Sequence, residues 1–258
     1  MNRGITLAVP GLALATAGGV WAEVRRAANA PLPRFVDHDA SGRYGREGST
    51  PVRVAALGDS SLTGPGLGHG SHVWLARLVD GLPYDVELSS HARGGSRVAD
   101  VLRRQAPTAM LERPDLFVVA VGANDAIHMT PSRQFSWQLG FLLDQLRAVA
   151  PVVTLGIGDL SVIPRVPRSL KPALSRRSAA IDRVHRRVAE RREGVVRVPV
   201  SELSDPHFRR MGPDMFVEDL FHPGREGHQL WGDLFRPHVY HALVDVVGRS
   251  REAAAAAK

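Results

Sequence analysis

The sequence predicts an α/β fold with three layers, in which a parallel sheet of about five strands lies between two layers of helices. Two observations predict it. Short apolar runs rich in β-branched residues recur along the chain, as expected for strands buried in a parallel sheet. Amphipathic stretches separate these runs, and such alternation implies a sheet covered on both faces. The predicted strands are residues 52–57, 86–90, 116–121, 151–158 and 195–200.

The predicted helices lie between and after these strands. They begin near residue 96, cover residues 134–150 and 178–192, and begin again near residue 227. Within the second of them, apolar side chains recur at helical spacing: Phe135, Leu139, Leu142, Leu143 and Leu146. A chain of 258 residues has room for one such domain with a modest extension. We divide it into an N-terminal segment, a linker, the α/β domain and a tail: residues 1–33, 34–50, 51–250 and 251–258.

The N-terminal segment differs in composition from the rest. Arg3 is followed by an uncharged stretch, residues 5–22, which is at the lower length limit for a membrane-spanning helix. A basic start and an apolar middle are also typical of a secretory signal. We therefore expect an exported or membrane-anchored protein. The alternative is a packed N-terminal helix of a cytoplasmic protein.

Composition excludes several classes of site. The chain has no cysteine, which rules out disulfides, thiolate nucleophiles and cysteine-ligated zinc. Its 11 histidines form no H-E-x-x-H pattern, so we expect neither a metal nor a cofactor. The net charge of the chain is +7, and many of its arginines lie in the predicted helix at residues 178–192. That helix face is either simply solvated or attracted to an anionic membrane, and no nucleic-acid-binding motif accompanies it.

Two motifs follow predicted strands and carry polar groups suited to acyl transfer. Gly-Asp-Ser60 follows the first strand, so the Ser60 hydroxyl would lie at the carboxyl edge, where open α/β sheets bind ligands. Gly-Ala-Asn124 follows the third strand, and the side-chain NH₂ of Asn124 could donate to a developing oxyanion. Asn124 could equally cap the turn or helix that follows.

A third motif supplies an acid–base group. Asp219-x-x-His222 places a carboxylate three residues before an imidazole, a spacing that puts both side chains on one side of a turn. The carboxylate could then fix the tautomer of His222 and leave the other ring nitrogen to face Ser60. Pro223 favours an extended His222 that ends the turn.

The residues of these motifs and their order along the chain, with Gly95 between the first two, resemble those of the SGNH hydrolases, also called the GDSL esterase/lipase family. The resemblance runs from about residue 52 to residue 246. It implies a flavodoxin-like sandwich, with Ser60, Asp219 and His222 as the catalytic residues. It also implies an oxyanion site made by the backbone N–H groups of Ser60 and Gly95 and the side chain of Asn124. Gly94 is the alternative to Gly95.

The resemblance favours a serine esterase or lipase that forms an acyl-serine intermediate and needs no cofactor. An acyltransferase acting on a sugar or lipid would use the same residues, and a non-catalytic binding module is a further alternative. The expected partner is a small-molecule, lipid or carbohydrate ester. Membrane association is possible, and we expect a monomer that does not bind nucleic acid. Residues 161–172, rich in proline and arginine, form either a lid on the substrate side or an ordinary surface loop.

Overall fold

The computed structural model describes residues 33–256, together with Gly19, Ala22, Glu23, Arg25 and Arg26. Most of the apolar stretch that suggested a signal or anchor therefore lies outside the described residues. Among the residues that are described, no helix combines the length and the apolar character needed to cross a membrane.

One six-stranded sheet forms the centre of the molecule. Its strands lie in the order β1-β3-β2-β4-β5-β6. All neighbours among β2 to β6 pair in parallel, which confirms the five predicted parallel strands. The strands are β1 (Gly42–Gly45), β2 (Pro51–Gly58), β3 (Asp85–Ser90), β4 (Leu116–Ala120), β5 (Val152–Leu155) and β6 (Val195–Val198).

The sixth strand, β1, was not predicted. It lies within residues 34–50, which the sequence indicated as a linker, and it pairs antiparallel with β3 at the edge of the sheet. Tyr44 stands opposite Val86 in this pairing, and its hydroxyl donates to the carbonyl of Ala40 at 2.9 Å. The segment is therefore part of the folded domain, which begins before residue 51.

Helices connect the strands. The helix Val98–Asp100 continues through a π-helical turn, Val101–Gln105, directly into the helix Ala106–Leu111. The last helix extends beyond the predicted domain end at residue 250 into the predicted tail. The helices are α1 (Trp74–Asp80), α2 (Val98–Asp100), α3 (Ala106–Leu111), α4 (Ala123–Ile127), α5 (Ser132–Arg147), α6 (Lys171–Ala189), α7 (Val200–Met211) and α8 (Arg225–Ala256).

Two hydrophobic cores lie on opposite faces of the sheet, and alternation along the strands assigns residues to them. In β2, Val54 and Ala56 join the core under α1 and α8, whereas Ala55 and Leu57 join the core under α5 and α6. On the first face, the rings of Trp74 and Phe235 meet edge to face at 5.3 Å. The three-layer α/β/α architecture is thus confirmed.

The end of β2 is held tightly against its neighbours. A Cβ on Gly58 would lie 2.1 Å from the carbonyl oxygen of Ala120, so this close approach of β2 to β4 requires glycine. The buried side chain of Gln105 accepts from the Gly58 N–H at 2.8 Å and donates to the Gly58 carbonyl at 2.9 Å. The residues that follow Gly58 therefore leave the sheet from a fixed position.

Candidate active site

Ser60 lies on the turn that leaves β2 at the carboxyl edge of the sheet. The turn is closed by its backbone: the Ser60 carbonyl accepts from the N–H groups of Thr63 at 3.3 Å and Gly64 at 3.0 Å. The N–H of Asp59 donates to the carbonyl of Ala120 at 3.2 Å, which ties the turn to β4. Ser60 is half-buried and lines a pocket at this edge.

Asp219 and His222 form the pair that their spacing predicted. Asp219 Oδ2 accepts from His222 Nδ1 at 2.6 Å, and the Asp219 carboxylate is almost fully buried. Its other oxygen accepts from the backbone N–H groups of Phe221 at 2.8 Å and His222 at 2.9 Å, so the loop is wrapped around the carboxylate. Because an ionised carboxylate only accepts hydrogen bonds, Nδ1 carries the hydrogen, and Nε2 of the neutral ring is left as a base.

Ser60, Asn124 and His222 line the same pocket. The topology thus brings together side chains that are far apart in the sequence. Within the described part of the chain, no direct hydrogen bond joins the Ser60 hydroxyl to the imidazole. Such catalytic hydrogen bonds are commonly long without substrate and tighten when it binds.

Asn124 is held by two acceptors, neither of which the sequence indicated. Its side-chain nitrogen donates to Asp59 Oδ2 and to the carbonyl of Ser96, each at 3.2 Å. Two acceptors on that side fix the amide with its NH₂ group, not its oxygen, towards the end of β2. Asp59 is buried, and burial raises the pKa of its carboxyl above the ordinary value, against hydrogen bonds from Ser61 and Asn124.

Gly95 and Gly94 are distinguished by their hydrogen bonds. The Gly94 N–H donates to Asp37 Oδ2 at 2.8 Å, whereas no hydrogen bond of the Gly95 N–H is found within the described residues. Gly95 adopts a φ of +73°, a left-handed conformation that favours glycine. Neither glycine is among the described residues that line the pocket, and the role of Gly95 as a donor stays a prediction.

The pocket extends from Ser60 across the ends of β4 and β5 to α7 and α8, with a volume of about 140 Å³. Its walls are mainly apolar. They are formed by the side chains of Ile127, Leu155, Ile157, Leu160, Val162, Ile163, Val200, Phe208, Phe216, Phe221, Trp231 and Phe235. A site of this kind binds an apolar group next to the polar centre at Ser60.

The proline-rich segment 161–172 contributes to this pocket. Val162 and Ile163 lie in its wall, and the backbone N–H of Arg165 donates to the carbonyl of Leu220 at 3.0 Å, inside the loop that carries His222. Its last two residues already belong to α6. The segment therefore contacts both the pocket and the His222 loop.

Among the described residues, no group of three or more His, Asp or Glu side chains is arranged to hold a metal ion. The chemistry that the site can perform with its own groups is proton transfer through His222 and attack by the Ser60 hydroxyl. A buried carboxylate that lines the pocket, Asp205, was not indicated by the sequence.

Comparison with known proteins is consistent with this geometry. The family model of the GDSL-like lipase/acylhydrolase family matches residues 56–230. A curated relative, the GDSL-like esterase Rv1075c of Mycobacterium tuberculosis, is 29% identical over 198 residues, covering 74% of this chain and 63% of the relative. The chain thus spans less than two thirds of that relative's length.

Solved structures show the same fold. TesA has a TM-score of 0.58 with 26% identity, and the match covers 72% of this chain and 97% of TesA. A single-residue variant of Axe2, an acetyl xylan esterase of Geobacillus stearothermophilus, has a TM-score of 0.61 with 15% identity, covering 76% of this chain and 96% of the variant. Since the family model matches well over half of the sequence, the chain belongs to the GDSL-like lipase/acylhydrolase family.

Proposed function

We propose that the protein is a serine esterase that hydrolyses a carboxylic ester through an acyl-Ser60 intermediate. The observation that carries this proposal is the 2.6 Å hydrogen bond between Asp219 and His222, on a loop that places the imidazole in the same pocket as Ser60. A buried carboxylate on Nδ1 orients the ring and stabilises the imidazolium that forms during the reaction.

The reaction proceeds in two halves. Ser60 Oγ attacks the ester carbonyl carbon while His222 Nε2 takes the hydroxyl proton, and the carbonyl oxygen becomes an oxyanion. The bond to the alcohol oxygen then breaks, and Nε2 gives its proton to the departing alcohol. Water next attacks the acyl-serine and loses a proton to Nε2. The acyl–Oγ bond breaks, Ser60 regains the proton, and the carboxylic acid leaves.

The oxyanion needs donors that do not have to reorganise as charge develops. Asn124 is suited to this role because Asp59 and Ser96 hold its NH₂ group at the end of β2. Its two hydrogen bonds are at the long end of the normal range, so one hydrogen can be shared with an oxyanion. We assign the N–H of Ser60 as a second donor and the uncommitted N–H of Gly95 as a third.

Ester hydrolysis is favoured over the alternatives by the relatives as well as by the site. Proteins named as an esterase and an acetyl xylan esterase share the family or the fold. A binding module would not need the buried Asp219–His222 pair. An acyltransferase would use the same first half-reaction, and an acceptor alcohol would replace water in the second.

Kinetics of three variants test the proposal. With p-nitrophenyl esters of graded chain length, His222→Ala should abolish turnover, since Ser60 then lacks a base. Asp219→Ala should retain part of it. The double variant should be little worse than His222→Ala alone, because the pair acts as one unit. His241→Ala, at an exposed position on α8, is the control. Multiplicative losses in the double variant would mean that Asp219 acts independently of His222.

A product assay separates hydrolysis from transfer. Under the proposed function, free acid should form in proportion to p-nitrophenol, both with and without added glycerol or a sugar alcohol. If the acid falls as an acyl-glycerol or acyl-sugar ester rises, the protein is an acyltransferase. The same wild-type preparation serves for both measurements.

We propose in addition that residues 1–33 direct the chain to a membrane or out of the cytoplasm. The support is the uncharged stretch after Arg3. Fractionation of cells producing the full chain should place it with membranes or outside the cytoplasm, and a chain lacking residues 1–30 should remain active in the cytoplasm. An intact full-length chain in the cytosol would contradict this proposal.

A further inference from the structure

The pocket is lined by polar groups from different parts of the chain as well as by apolar side chains. Ser60 and His222 line it, and so does the carboxylate of Asp205 on α7. Asp205 is 6% exposed, although a carboxylate is rarely buried without strong partners. Gly158 makes room for it, since a Cβ there would lie 2.7 Å from Asp205 Oδ1.

Asp205 has few hydrogen bonds for a buried carboxylate. Both of its oxygens share one donor, the N–H of Asp159, at 3.1 and 3.0 Å. The guanidinium of Arg209 forms an ion pair with Oδ2 at 3.8 Å, which is beyond hydrogen-bond distance. An ionised carboxylate offers about four acceptor sites, so about half of those on Asp205 are unused within the described structure.

The neighbouring carboxylate of Asp159 provides the contrast. It accepts from the Ser161 N–H at 3.0 Å, from Ser175 Oγ at 3.0 Å and from Arg209 Nη2 at 2.8 Å. Asp159 thus has three donors from the protein, including the guanidinium of Arg209, which is closer to Asp159 than to Asp205. Of these two pocket carboxylates, Asp205 has more acceptor sites left for a molecule in the pocket.

The width of the sheet edge gives the scale of that molecule. Ser60 follows β2 and Asp159 follows β5, and β4 lies between these strands. Two strand spacings of about 4.8 Å separate the ends of β2 and β5 by about 10 Å across the sheet. An extended aliphatic chain covers this distance in about eight bonds, with an advance of about 1.3 Å for each bond.

We propose that the substrate of this site is an ester with an aliphatic arm of about eight carbons that ends in a hydroxyl group, which donates a hydrogen bond to Asp205. The apolar walls bind the arm, and the carboxylate selects its end. This inference rests on the proposed esterase function and adds the class of substrate. The arm belongs to the acyl part or to the alcohol part of the ester. In both cases it is an aliphatic chain that ends in a hydroxyl group.

Matched ester pairs test the inference. On the acyl side, p-nitrophenyl 8-hydroxyoctanoate is compared with p-nitrophenyl octanoate. On the alcohol side, 8-hydroxyoctyl acetate is compared with octyl acetate. In one of the two pairs, the wild type should favour the hydroxylated ester in kcat/KM by about tenfold, the order expected for a hydrogen bond to a charged group. Equal values within both pairs would overturn the inference.

Two variants show whether Asp205 causes the preference. Asp205→Asn keeps an oxygen that can accept from the Asp159 N–H but removes the charge, so the ratio within the pair should fall towards one. Glu202→Gln removes a charge from an exposed position one turn earlier on α7, and the ratio should persist. A purely structural role of Asp205 would lower both members of the pair equally and leave the ratio unchanged, which would overturn the inference.

The outcomes also distinguish the two proposals. If the folded wild type turns over none of the four esters and none of the graded series, the esterase function fails, and the inference fails with it. If the esters are hydrolysed without any preference for the hydroxyl group, only the inference about Asp205 fails.

Discussion

Replacing Asp205 by asparagine should make the folded protein gain stability relative to wild type as pH rises from about 4 to about 7. Burial raises the pKa of the Asp205 carboxyl from its ordinary 3.8 to about 6, against the Asp159 N–H and Arg209, with the charges of Asp159 and Asp182 adding to the rise. The folded state therefore holds this proton more tightly than the unfolded chain. The stability of the wild type falls as pH rises from about 4 to about 6, because the group must ionise in its buried position.

The magnitude follows from the size of that shift. A change of about two pH units corresponds to about 3 kcal/mol, at about 1.4 kcal/mol for each unit. Asparagine does not ionise, so the variant avoids this cost. The difference in free energy of unfolding, variant minus wild type, should therefore shift by up to about 3 kcal/mol in favour of the variant between pH 4 and pH 7.

Urea unfolding of both proteins at several pH values measures this difference, and the subtraction cancels the titration of all other groups. Asp159→Asn is the matched control. Burial alone would raise the pKa of Asp159, but hydrogen bonds from Ser161, Arg209 and Ser175 outweigh it and lower the pKa. Its variant should lose stability relative to wild type as pH rises. A difference for Asp205→Asn that does not change with pH would show that the buried charge of Asp205 does not destabilise the fold.

A stabilising substitution in the pocket would bear on function. Residues kept in a site despite their cost to stability commonly serve a ligand. Burial of the Asp205 carboxylate would then be favourable only when a hydroxyl group of the substrate donates a hydrogen bond to it. Loss of the hydroxyl preference together with a gain in stability at neutral pH, in the same variant, is the combined result that we expect.

Three further predictions concern the site and its support. Asn124→Ala should lower kcat by about 10²–10³ with little change in KM, measured in steady-state assays, because the donor acts only once charge develops on the oxygen. Gly58→Ala should fail to fold or melt at a much lower temperature than wild type, since its Cβ would lie 2.1 Å from the carbonyl oxygen of Ala120; an unchanged melting temperature would contradict this. Burial lowers the pKa of His228 from 6.5 to about 3, so the wild type should lose stability as pH falls below about 6.5. His228→Asn, which can still accept from the Trp74 N–H, should lose less in urea unfolding between pH 7 and pH 4.

The parallel strands could be predicted from sequence because both their faces are buried, which leaves nearly continuous apolar runs. Strand β4, residues Leu116–Ala120, is buried at every position. Strand β1 could not be predicted in this way. It has two glycines in four residues, lies at an edge and is exposed at Gly42 and Arg43, so neither an apolar run nor an alternating pattern marks it. Only its pairing with β3 makes it a strand.

The site shows the same division between local and distant effects. The contact of Asp219 with His222 depends on a three-residue spacing, so the sequence was enough to predict it. The hydrogen bond from Asn124 to Asp59 spans 65 residues, and that from the Asp159 N–H to Asp205 spans 46. Such contacts depend on how strand ends meet in the sheet. The one sequence signal for Asp59 was its position directly before Ser60.

The proposed mechanism depends above all on the Ser60 hydroxyl as the nucleophile. Labelling with a fluorophosphonate probe, followed by mass spectrometry of the labelled peptide, tests this assignment. We predict a single adduct on Ser60, none in Ser60→Ala, and full labelling in Ser61→Ala, because the Ser61 hydroxyl is engaged in a hydrogen bond to the Asp59 carboxylate. Labelling that persists in Ser60→Ala and disappears in Ser61→Ala, or an adduct on any other residue, would show that the nucleophile is not Ser60.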